Sequence, residues 1–188
     1  MNGVVVKVSK YLGKKLARRF RAWDADGSGY LCEEDFVRRA RLVASAGGHD
    51  VGSVRHLEVQ EQFLILWKSL AGEAGVDHLT VEQYCTAFAA LVVSHPDGFD
   101  AVYGPFIRAS AGAVDIDGDG ALNRRELRLW YATHLQLPMG VSDHVFDEMV
   151  PDPHGVLPIE ELVGWVRDYY FNEDPNSPGN KILGEVEP

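Results

Sequence analysis

DIDGDGALNRRE, residues 115–126, is the stretch that decides the fold. Acidic side chains stand at positions 1, 3, 5 and 12 of this stretch: Asp115, Asp117, Asp119 and Glu126. A hard divalent cation takes about six to eight oxygen ligands, and a twelve-residue loop supplies them from positions 1, 3, 5, 7, 9 and 12. Gly120 at position 6 allows the positive φ of a sharp turn. The spacing therefore predicts a cation-binding loop, with the four acids and the backbone carbonyl of Ala121 as ligands.

Residues 24–35, DADGSGYLCEED, repeat this pattern with serine at position 5 and aspartate at position 12. The predicted ligands are the side chains of Asp24, Asp26, Ser28 and Asp35 and the backbone carbonyl of Tyr30. Cys32 at position 9 is a poor ligand for a hard ion, so we expect water at that corner. Asp35 at position 12 is one methylene shorter than Glu, and its shorter reach favours the octahedral geometry that Mg²⁺ prefers. We expect a working site that is weaker for Ca²⁺, or more tolerant of Mg²⁺, than the site at residues 115–126.

Two weaker copies align on the leucine at position 8: residues 72–83 with Leu79 and residues 150–161 with Leu157. The copy around Leu79 has no carboxylate at position 1, 3, 5 or 12, so we predict that it binds no cation. The copy around Leu157 keeps possible ligands at positions 3, 5 and 12: Asp152, His154 and Glu161. However, Val150 replaces the acid at position 1, and Pro153 and Pro158 stiffen the loop. We therefore predict a structural role for this copy and a total of two bound cations.

Each of the four loops is flanked by apolar residues three and four positions apart, the spacing of an amphipathic helix. These residues are Leu16, Phe20, Trp23, Phe63, Trp67, Ile107, Ala111, Val114, Phe146 and Met149 before the loops, and Phe36, Ala40, Tyr84, Phe88, Leu127, Trp130, Leu162 and Trp165 after them. The pattern predicts an all-α fold in which helix, loop and helix recur four times. A single unit would leave its apolar faces uncovered, so we expect the units to pair by a two-residue β contact at position 8. Leu31 should then face Leu79, and Leu122 should face Leu157.

With two specific loops and two eroded ones, the chain resembles the four-EF-hand proteins of the calerythrin and sarcoplasmic calcium-binding protein kind. The resemblance covers about residues 10–184, and the stretch NEDPNSPGN at residues 172–180 is similar to the C-terminus of bacterial, actinobacterial-type members. It implies that Ca²⁺ is the ligand of the first and third loops. Members of the family commonly keep a fourth binding site, so the loss that we predict at Val150 is a departure from the family.

Residues that break regular structure divide the four repeats into two pairs. The run HPDG at residues 95–98 separates a first lobe, residues 8–94, from a second lobe, residues 99–171. Residues 172–188 form a C-terminal tail. We expect each lobe to contain one active and one inactive EF-hand.

Composition limits the classes of function that fit the chain. Of its 188 residues 46% are hydrophobic, enough for a core, and the net charge of -10 argues against nucleic acid as a partner. The two cysteines, Cys32 and Cys85, form no disulfide framework and favour a reducing compartment. The N-terminus lacks the apolar core of a signal peptide, and the longest apolar run, residues 86–93, is too short for a membrane helix. We therefore expect a soluble, cytoplasmic monomer.

An enzyme and a cell-surface assembly module are the alternatives to a calcium-binding protein. The chain has no nucleophile elbow, phosphate loop or HExxH zinc helix, and its seven histidines are scattered, so we predict no catalysis. Dockerin-type modules use similar loops that often end in Asp. They lack the preceding helix that residues 11–23 supply here.

Calcium buffering and calcium sensing both fit the loops. Sensors tend to expose Met-rich grooves, whereas this chain has three methionines, four tryptophans and eight phenylalanines, which favour a fixed core and a buffer or compact transducer. A sensor with one dedicated protein partner needs no such groove and stays the alternative. Residues 1–22 contain seven basic and no acidic residues, a pattern that suits anionic lipid or an acidic partner. The simpler interpretation is the polar face of the first helix, and with it we expect no membrane contact.

Overall fold

The order of the helices follows the four predicted repeats. The computed structural model describes residues 8–95, 97–136, 139–150, 152, 155–177 and 179–180. Its α-helices are α1 (Lys10–Trp23), α2 (Glu33–Ala46), α3 (Val54–Ala74), α4 (Val81–Phe88), α5 (Gly104–Val114), α6 (Arg124–His134), α7 (Met139–Met149) and α8 (Ile159–Phe171). The pairs α1–α2, α3–α4, α5–α6 and α7–α8 each enclose one loop. The predicted all-α fold with four helix–loop–helix units is therefore confirmed.

Several helices begin at a short polar side chain that accepts an N–H group of the first turn. Ser9 caps α1 in this way at 3.1 Å, and Thr80 caps α4 at 3.3 Å. Asn123 caps α6 by accepting two N–H groups, at 2.9 and 3.1 Å. Such caps satisfy N–H groups that no helical carbonyl can reach. The cap at Asn123, position 9 of the third loop, starts α6 within the last part of the loop. It thereby places Glu126, position 12, in the first turn of the helix.

The loops pair through short main-chain contacts at position 8. In the first pair Leu31 and Leu79 exchange two N–H···O hydrogen bonds of 2.9 Å each. In the second pair β1 (Ala121–Leu122) runs antiparallel to β2 (Leu157–Pro158), and the two leucines lie opposite each other. All four leucines are buried. Both predicted pairings are confirmed, although the first is a single bridge rather than a two-residue strand.

The second loop is shorter than the sequence pattern predicts. Because α3 continues through Ala74, positions 1 and 3 of the predicted loop, Gly72 and Ala74, are helical. The helix ends at Gly75, whose φ of 69° lies in the left-handed region that glycine adopts readily. The first positions of this copy therefore cannot wrap around a cation.

The apolar residues that flank the loops form the core. All of them are buried except Met149 and Trp165, which are half-buried. Aromatic rings connect the two pairs of EF-hands: the ring centroid of Trp23 on α1 lies 5.7 Å from that of Phe63 on α3 and 5.8 Å from that of Phe106 on α5. One continuous hydrophobic core therefore runs through both predicted lobes.

The described residues on either side of the predicted boundary are helical. Two π-helical segments, Ala89–Ser94 and Phe99–Tyr103, flank the predicted break. Gly98 fits there because a Cβ atom on it would lie 1.8 Å from the carbonyl oxygen of Leu91. Pro96, the centre of the predicted boundary, lies outside the described residues.

The first helix turns basic as well as apolar side chains toward the interior. Leu12, Leu16 and Phe20 are buried, and so are Lys15 and Arg19. The interpretation of the basic residues as a polar surface is therefore wrong for these two, whose side chains reach partners on other helices. The apolar stripe is packed in the core and is not available to lipid in this fold. In the described part of the chain, no helix is both long and apolar enough to cross a bilayer.

Candidate metal centre

Three carboxylates come together in the third loop, between α5 and α6. Oxygen atoms of Asp115, Asp117 and Glu126 lie within 4.8 Å of one another. Within the described residues no other group of three or more His, Cys, Asp or Glu side chains meets this criterion. The fold thus gathers the ligands predicted at positions 1, 3 and 12 around one point.

Glycines give the third loop its shape. Gly118 and Gly120 have φ angles of 72° and 83°, which other residues rarely adopt. Their N–H groups donate to the two carboxylate oxygens of Asp115, at 2.9 and 3.0 Å. Sequence reasoning used Gly120 and missed Gly118. The signal for it is the glycine at the same position of the first loop, Gly27, whose φ is 68°.

Glu126 closes the third loop from the first turn of α6. One of its carboxylate oxygens accepts the N–H of Ile116 at 2.8 Å, and the other accepts the N–H of Asn123 at 2.9 Å. The residue is 2% exposed. These two hydrogen bonds hold the carboxylate on the side of the helix that faces the loop.

The other predicted ligands of the third loop complete an oxygen-only donor set. Asp119 is exposed and accepts the N–H of Ala121 at 2.8 Å. Ala121 itself begins β1, so its main-chain position is fixed by the pairing with the fourth loop. Carboxylates and a carbonyl are the ligands that Ca²⁺ prefers, and the residues present fit such an ion.

The first loop has a similar backbone. Gly27 and Gly29 have positive φ angles of 68° and 82°. Asp24 accepts the N–H groups of Ser28 and Gly29, at 2.9 and 3.0 Å. Asp26 accepts the same Ser28 N–H at 3.0 Å, and this hydrogen bond holds the pKa of Asp26 below its ordinary value. In both loops the acid at position 1 accepts the N–H of the glycine at position 6, and the acid at position 3 accepts the N–H of position 5.

Ser28 links two further predicted ligands of the first loop. Its hydroxyl group lies 3.3 Å from a carboxylate oxygen of Asp24 and 3.2 Å from the carbonyl oxygen of Tyr30. Positions 1, 5 and 7 are thus in contact. At position 9, burial raises the pKa of the Cys32 thiol to about 11, so the sulfur is protonated at neutral pH and is a poor ligand.

Asp35 does not join the other acids of the first loop. One of its carboxylate oxygens accepts the N–H of Cys32 at 2.9 Å, and the other contacts the guanidinium group of Arg38, one turn further along α2. The Asp35 side chain is 3% exposed, whereas that of Arg38 is 45% exposed. Sequence reasoning missed Arg38. The signal that could have revealed it is the acid and base three residues apart on one helix.

The second loop brings no ligand group together within the described residues. Asp77 and His78 are exposed and lie beside each other, with 3.2 Å between a carboxylate oxygen and the ring Nδ1. Gln83, at position 12, accepts the N–H of Thr80 and thereby caps α4. The polar residues of this copy thus serve the surface and the following helix.

In the fourth loop, the residues at positions 1 and 12 are directed elsewhere. Val150, at position 1, is 8% exposed and packs in the core. Glu161, at position 12, is exposed, and its carboxylate lies 3.4 Å from the indole nitrogen of Trp165 on the same helix. Pro153 and His154 lie outside the described residues.

Among proteins of known sequence, calerythrin from Saccharopolyspora erythraea is similar to this chain. The two are 32% identical over 161 residues, which are 84% of this chain and 90% of calerythrin. No protein-family model matches the chain.

Among solved structures, a calcium-binding protein from Streptomyces coelicolor is 27% identical to this chain. Its structure is described as the basis for prokaryotic calcium-mediated regulation by that protein. It superposes with a TM-score of 0.70 over 85% of this chain and 97% of its own. A sarcoplasmic calcium-binding protein from amphioxus is 15% identical, with a TM-score of 0.72 over 96% of this chain and 100% of its own. At that identity the second likeness concerns the fold alone.

Proposed function

The chain belongs to the calerythrin family of EF-hand calcium-binding proteins, and on this premise we propose that it binds two calcium ions and acts as a cytoplasmic calcium buffer. The family consists of binding proteins and not of enzymes. The residues that would hold the ions are Asp24, Asp26, Ser28, Tyr30 and Asp35 in the first loop and Asp115, Asp117, Asp119, Ala121 and Glu126 in the third.

The observation that carries the proposal is the convergence of Asp115, Asp117 and Glu126 within 4.8 Å. Carboxylates so close together repel one another when all are ionised. A divalent cation removes that repulsion and gains several oxygen ligands at once. The arrangement of the third loop therefore favours tight binding.

The first loop supports a second, weaker site. Its acids at positions 1 and 3 resemble those of the third loop, but its position-12 residue is shorter and lies apart from them. Six-coordination by a reduced ligand set suits Mg²⁺, so we expect competition by Mg²⁺ at this loop. The two sites would then cover different ranges of free calcium.

Packing supports buffering over sensing. The apolar helix faces are joined in one core, in which Trp23, Phe63 and Phe106 contact one another across both pairs of EF-hands. A groove that opens in one pair would disturb contacts of the other. The two free cysteines, Cys32 and Cys85, are compatible with a reducing compartment.

Calorimetric titration of the calcium-free protein tests this proposal. We expect two sites, one of which weakens when about 1 mM Mg²⁺, a concentration typical of cells, is present. Glu126→Gln should remove the tighter site, and Asp24→Asn should remove the weaker one. Glu161→Gln, the matched change in the fourth loop, should leave both intact. A loss of binding in Glu161→Gln would place an ion in the fourth loop and contradict the proposed stoichiometry.

A calcium sensor is the second candidate, because the 27% identical Streptomyces coelicolor protein is described as a calcium-mediated regulator. Exposed apolar side chains just before and at the start of α3 offer a surface for a protein partner: Val51, Val54 and Leu57. A sensor would bind calcium with micromolar affinity, indifferent to Mg²⁺, and would expose more apolar surface on binding. A calcium-dependent rise in the fluorescence of an apolar dye would favour this candidate over the buffer.

The basic residues of the N-terminal helix also suggested an anionic membrane as a binding partner. The burial of Leu12, Leu16 and Phe20 argues against it, since lipid insertion needs an exposed apolar face. Flotation with anionic vesicles at low salt provides the test. Co-flotation of the folded protein would restore this alternative.

A further inference from the structure

We propose that Arg38 competes with the calcium ion of the first loop for the carboxylate of Asp35, and that this competition sets the calcium affinity of that site. The proposal rests on the proposed function, since it presumes that the first loop binds calcium. It follows from the way in which the two position-12 carboxylates are held.

The two carboxylates make different second contacts. In the third loop Glu126 reaches across to the N–H of Ile116, at position 2, and thereby closes the loop at 2.8 Å. In the first loop the equivalent N–H, that of Ala25, bonds instead to the carbonyl of Trp23 at 2.9 Å. The oxygen of Asp35 that would make the closing contact lies against the guanidinium of Arg38. An arginine therefore holds the carboxylate that the ion needs.

The third loop lacks such an arginine. The residue three positions after Glu126 is Leu129, which carries no charge. The neighbouring arginines of α6 pair with acids of α7 instead: Arg124 with Asp147 at 2.5 Å and Arg128 with Asp143 at 2.7 Å. Within the described residues, Glu126 forms no ion pair like the one that joins Asp35 to Arg38.

The pair between Arg38 and Asp35 can break without leaving a buried arginine behind. The Arg38 side chain is 45% exposed, so its charge can move into water when the ion arrives. The Asp35 side chain is 3% exposed and keeps the N–H and the thiol of Cys32, both of which contact the same carboxylate oxygen, if Arg38 leaves before an ion is bound. Arg38 therefore stabilises the calcium-free loop and must be displaced by calcium. Because the Arg38 side chain is partly exposed to solvent, salt should screen its charge and weaken its competition with calcium.

The test measures calcium binding to the first loop alone. In the Glu126→Gln background, titration calorimetry compares Arg38→Leu, which copies Leu129 of the third loop, with Arg41→Leu. Arg41 is exposed on the same helix, so the control removes the same charge without the contact to Asp35. We expect about three- to fivefold tighter binding for Arg38→Leu, in line with removal of a partly exposed ion pair, and at most about a 1.5-fold change for Arg41→Leu. Raising NaCl from about 50 to 500 mM should reduce the advantage of Arg38→Leu.

A second readout keeps the test independent of the Glu126→Gln background. Tyr30 lies within the first loop, whereas residues 115–126 contain no aromatic side chain. Terbium emission excited through tyrosine in the otherwise natural chain should therefore report the first loop, with the same shift in midpoint for Arg38→Leu.

The outcomes separate this inference from the proposed function. Equal affinities of Arg38→Leu and Arg41→Leu, with the first loop still binding, would overturn the role of Arg38 alone. Absence of any first-loop binding in all the variants would overturn the first-loop site and this inference together. An advantage of Arg38→Leu that does not depend on salt would show that the residue acts through helix packing and not as a competing charge.

Discussion

A single methylene group distinguishes the position-12 residues of the two loops. Glu126 is long enough to accept the N–H of Ile116 from the first turn of α6. Both residues accept the N–H three positions earlier, that of Asn123 or Cys32, but the N–H at position 2 of the first loop, that of Ala25, bonds to the carbonyl of Trp23 and not to Asp35. The length of this side chain should therefore affect the calcium affinity of each loop, in addition to the competition by Arg38 at Asp35.

Exchanging the two residues tests this dependence. We expect Asp35→Glu to raise the calcium affinity of the first loop at least about tenfold and to reduce competition by Mg²⁺, since a longer side chain permits bidentate ligation. Glu126→Asp is the reciprocal control and should weaken the third loop. Calorimetry with and without Mg²⁺ measures both. An unchanged Mg²⁺ sensitivity in Asp35→Glu would contradict the explanation by side-chain length.

Another residue-level feature is a histidine that folding holds neutral. His134 is fully buried between α1 and α6, and its Nε2 lies 2.9 Å from a guanidinium nitrogen of Arg19. Burial, together with the nearby charges of Arg19 and Arg39, holds the pKa of His134 well below its ordinary value. The ring thus acts as an acceptor for a buried arginine and resists protonation.

This histidine should make the protein less stable in mild acid. Below about pH 6.5 the unfolded chain takes up a proton at His134 that the folded chain does not, so stability falls as the pH falls. The slope from one such group is at most about 1.4 kcal/mol per pH unit. We expect His134→Gln, which keeps an acceptor, to lose this part of the slope. Urea unfolding of the calcium-free proteins between about pH 5 and 7 measures it, and parallel curves for the two proteins would refute the assignment.

At the scale of elements, a loop that we predict to bind no ion supports a loop that we predict to bind one. Leu79 belongs to the second loop, yet it is fully buried and exchanges two hydrogen bonds with Leu31 of the first loop. The second pair shows the same relation between Leu157 and Leu122. Loss of the ligands has therefore not removed the structural task of these copies.

Leu79→Ala should accordingly destabilise the fold although we predict that its loop binds no ion. Truncation of a fully buried leucine costs about 2–5 kcal/mol. Val54→Ala is the control, since Val54 is 74% exposed and its truncation should change stability by about 0.5 kcal/mol or less. Denaturant unfolding without calcium measures both free energies. Similar losses in the two variants would mean that the bridge between the loops contributes little.

The elements also show where sequence reasoning succeeds and where it stops. The loops and their pairing could be predicted because ligand spacing and the position-8 leucines are local, repeated patterns. Arg38 was missed because a side chain with several rotatable bonds has many possible partners, and spacing alone does not select one. The buried basic residues of α1 depend on distant helices: Lys15 donates to the carbonyl of Tyr169, 154 residues away, and Arg19 meets His134, 115 residues away. No local pattern contains these contacts.

At the scale of the whole molecule, polar contacts as well as the core connect the two halves. Arg39 on α2 donates to the carbonyl of Thr133, near the end of α6, at 2.9 Å. Lys15 on α1 donates to the carbonyls of Tyr169 and Asn172, at the end of α8, at 2.5 and 2.9 Å. The C-terminal end of a helix carries partial negative charge, which favours such basic partners. Helices of the first pair thus hold the ends of helices in the second.

These contacts predict that the molecule unfolds as one unit and that a calcium ion in one half stabilises both. At a free calcium concentration about 100 times the dissociation constant, one site adds about 2.7 kcal/mol to the free energy of unfolding. Calorimetry should show a single transition, with equal calorimetric and van't Hoff enthalpies. Glu126→Gln should lower the whole transition in calcium, and Glu161→Gln should not. Two transitions, of which Glu126→Gln shifts only one, would instead mean that residues 8–94 and 99–171 are independent domains, and that the shared core does not couple the stability of one calcium loop to the other.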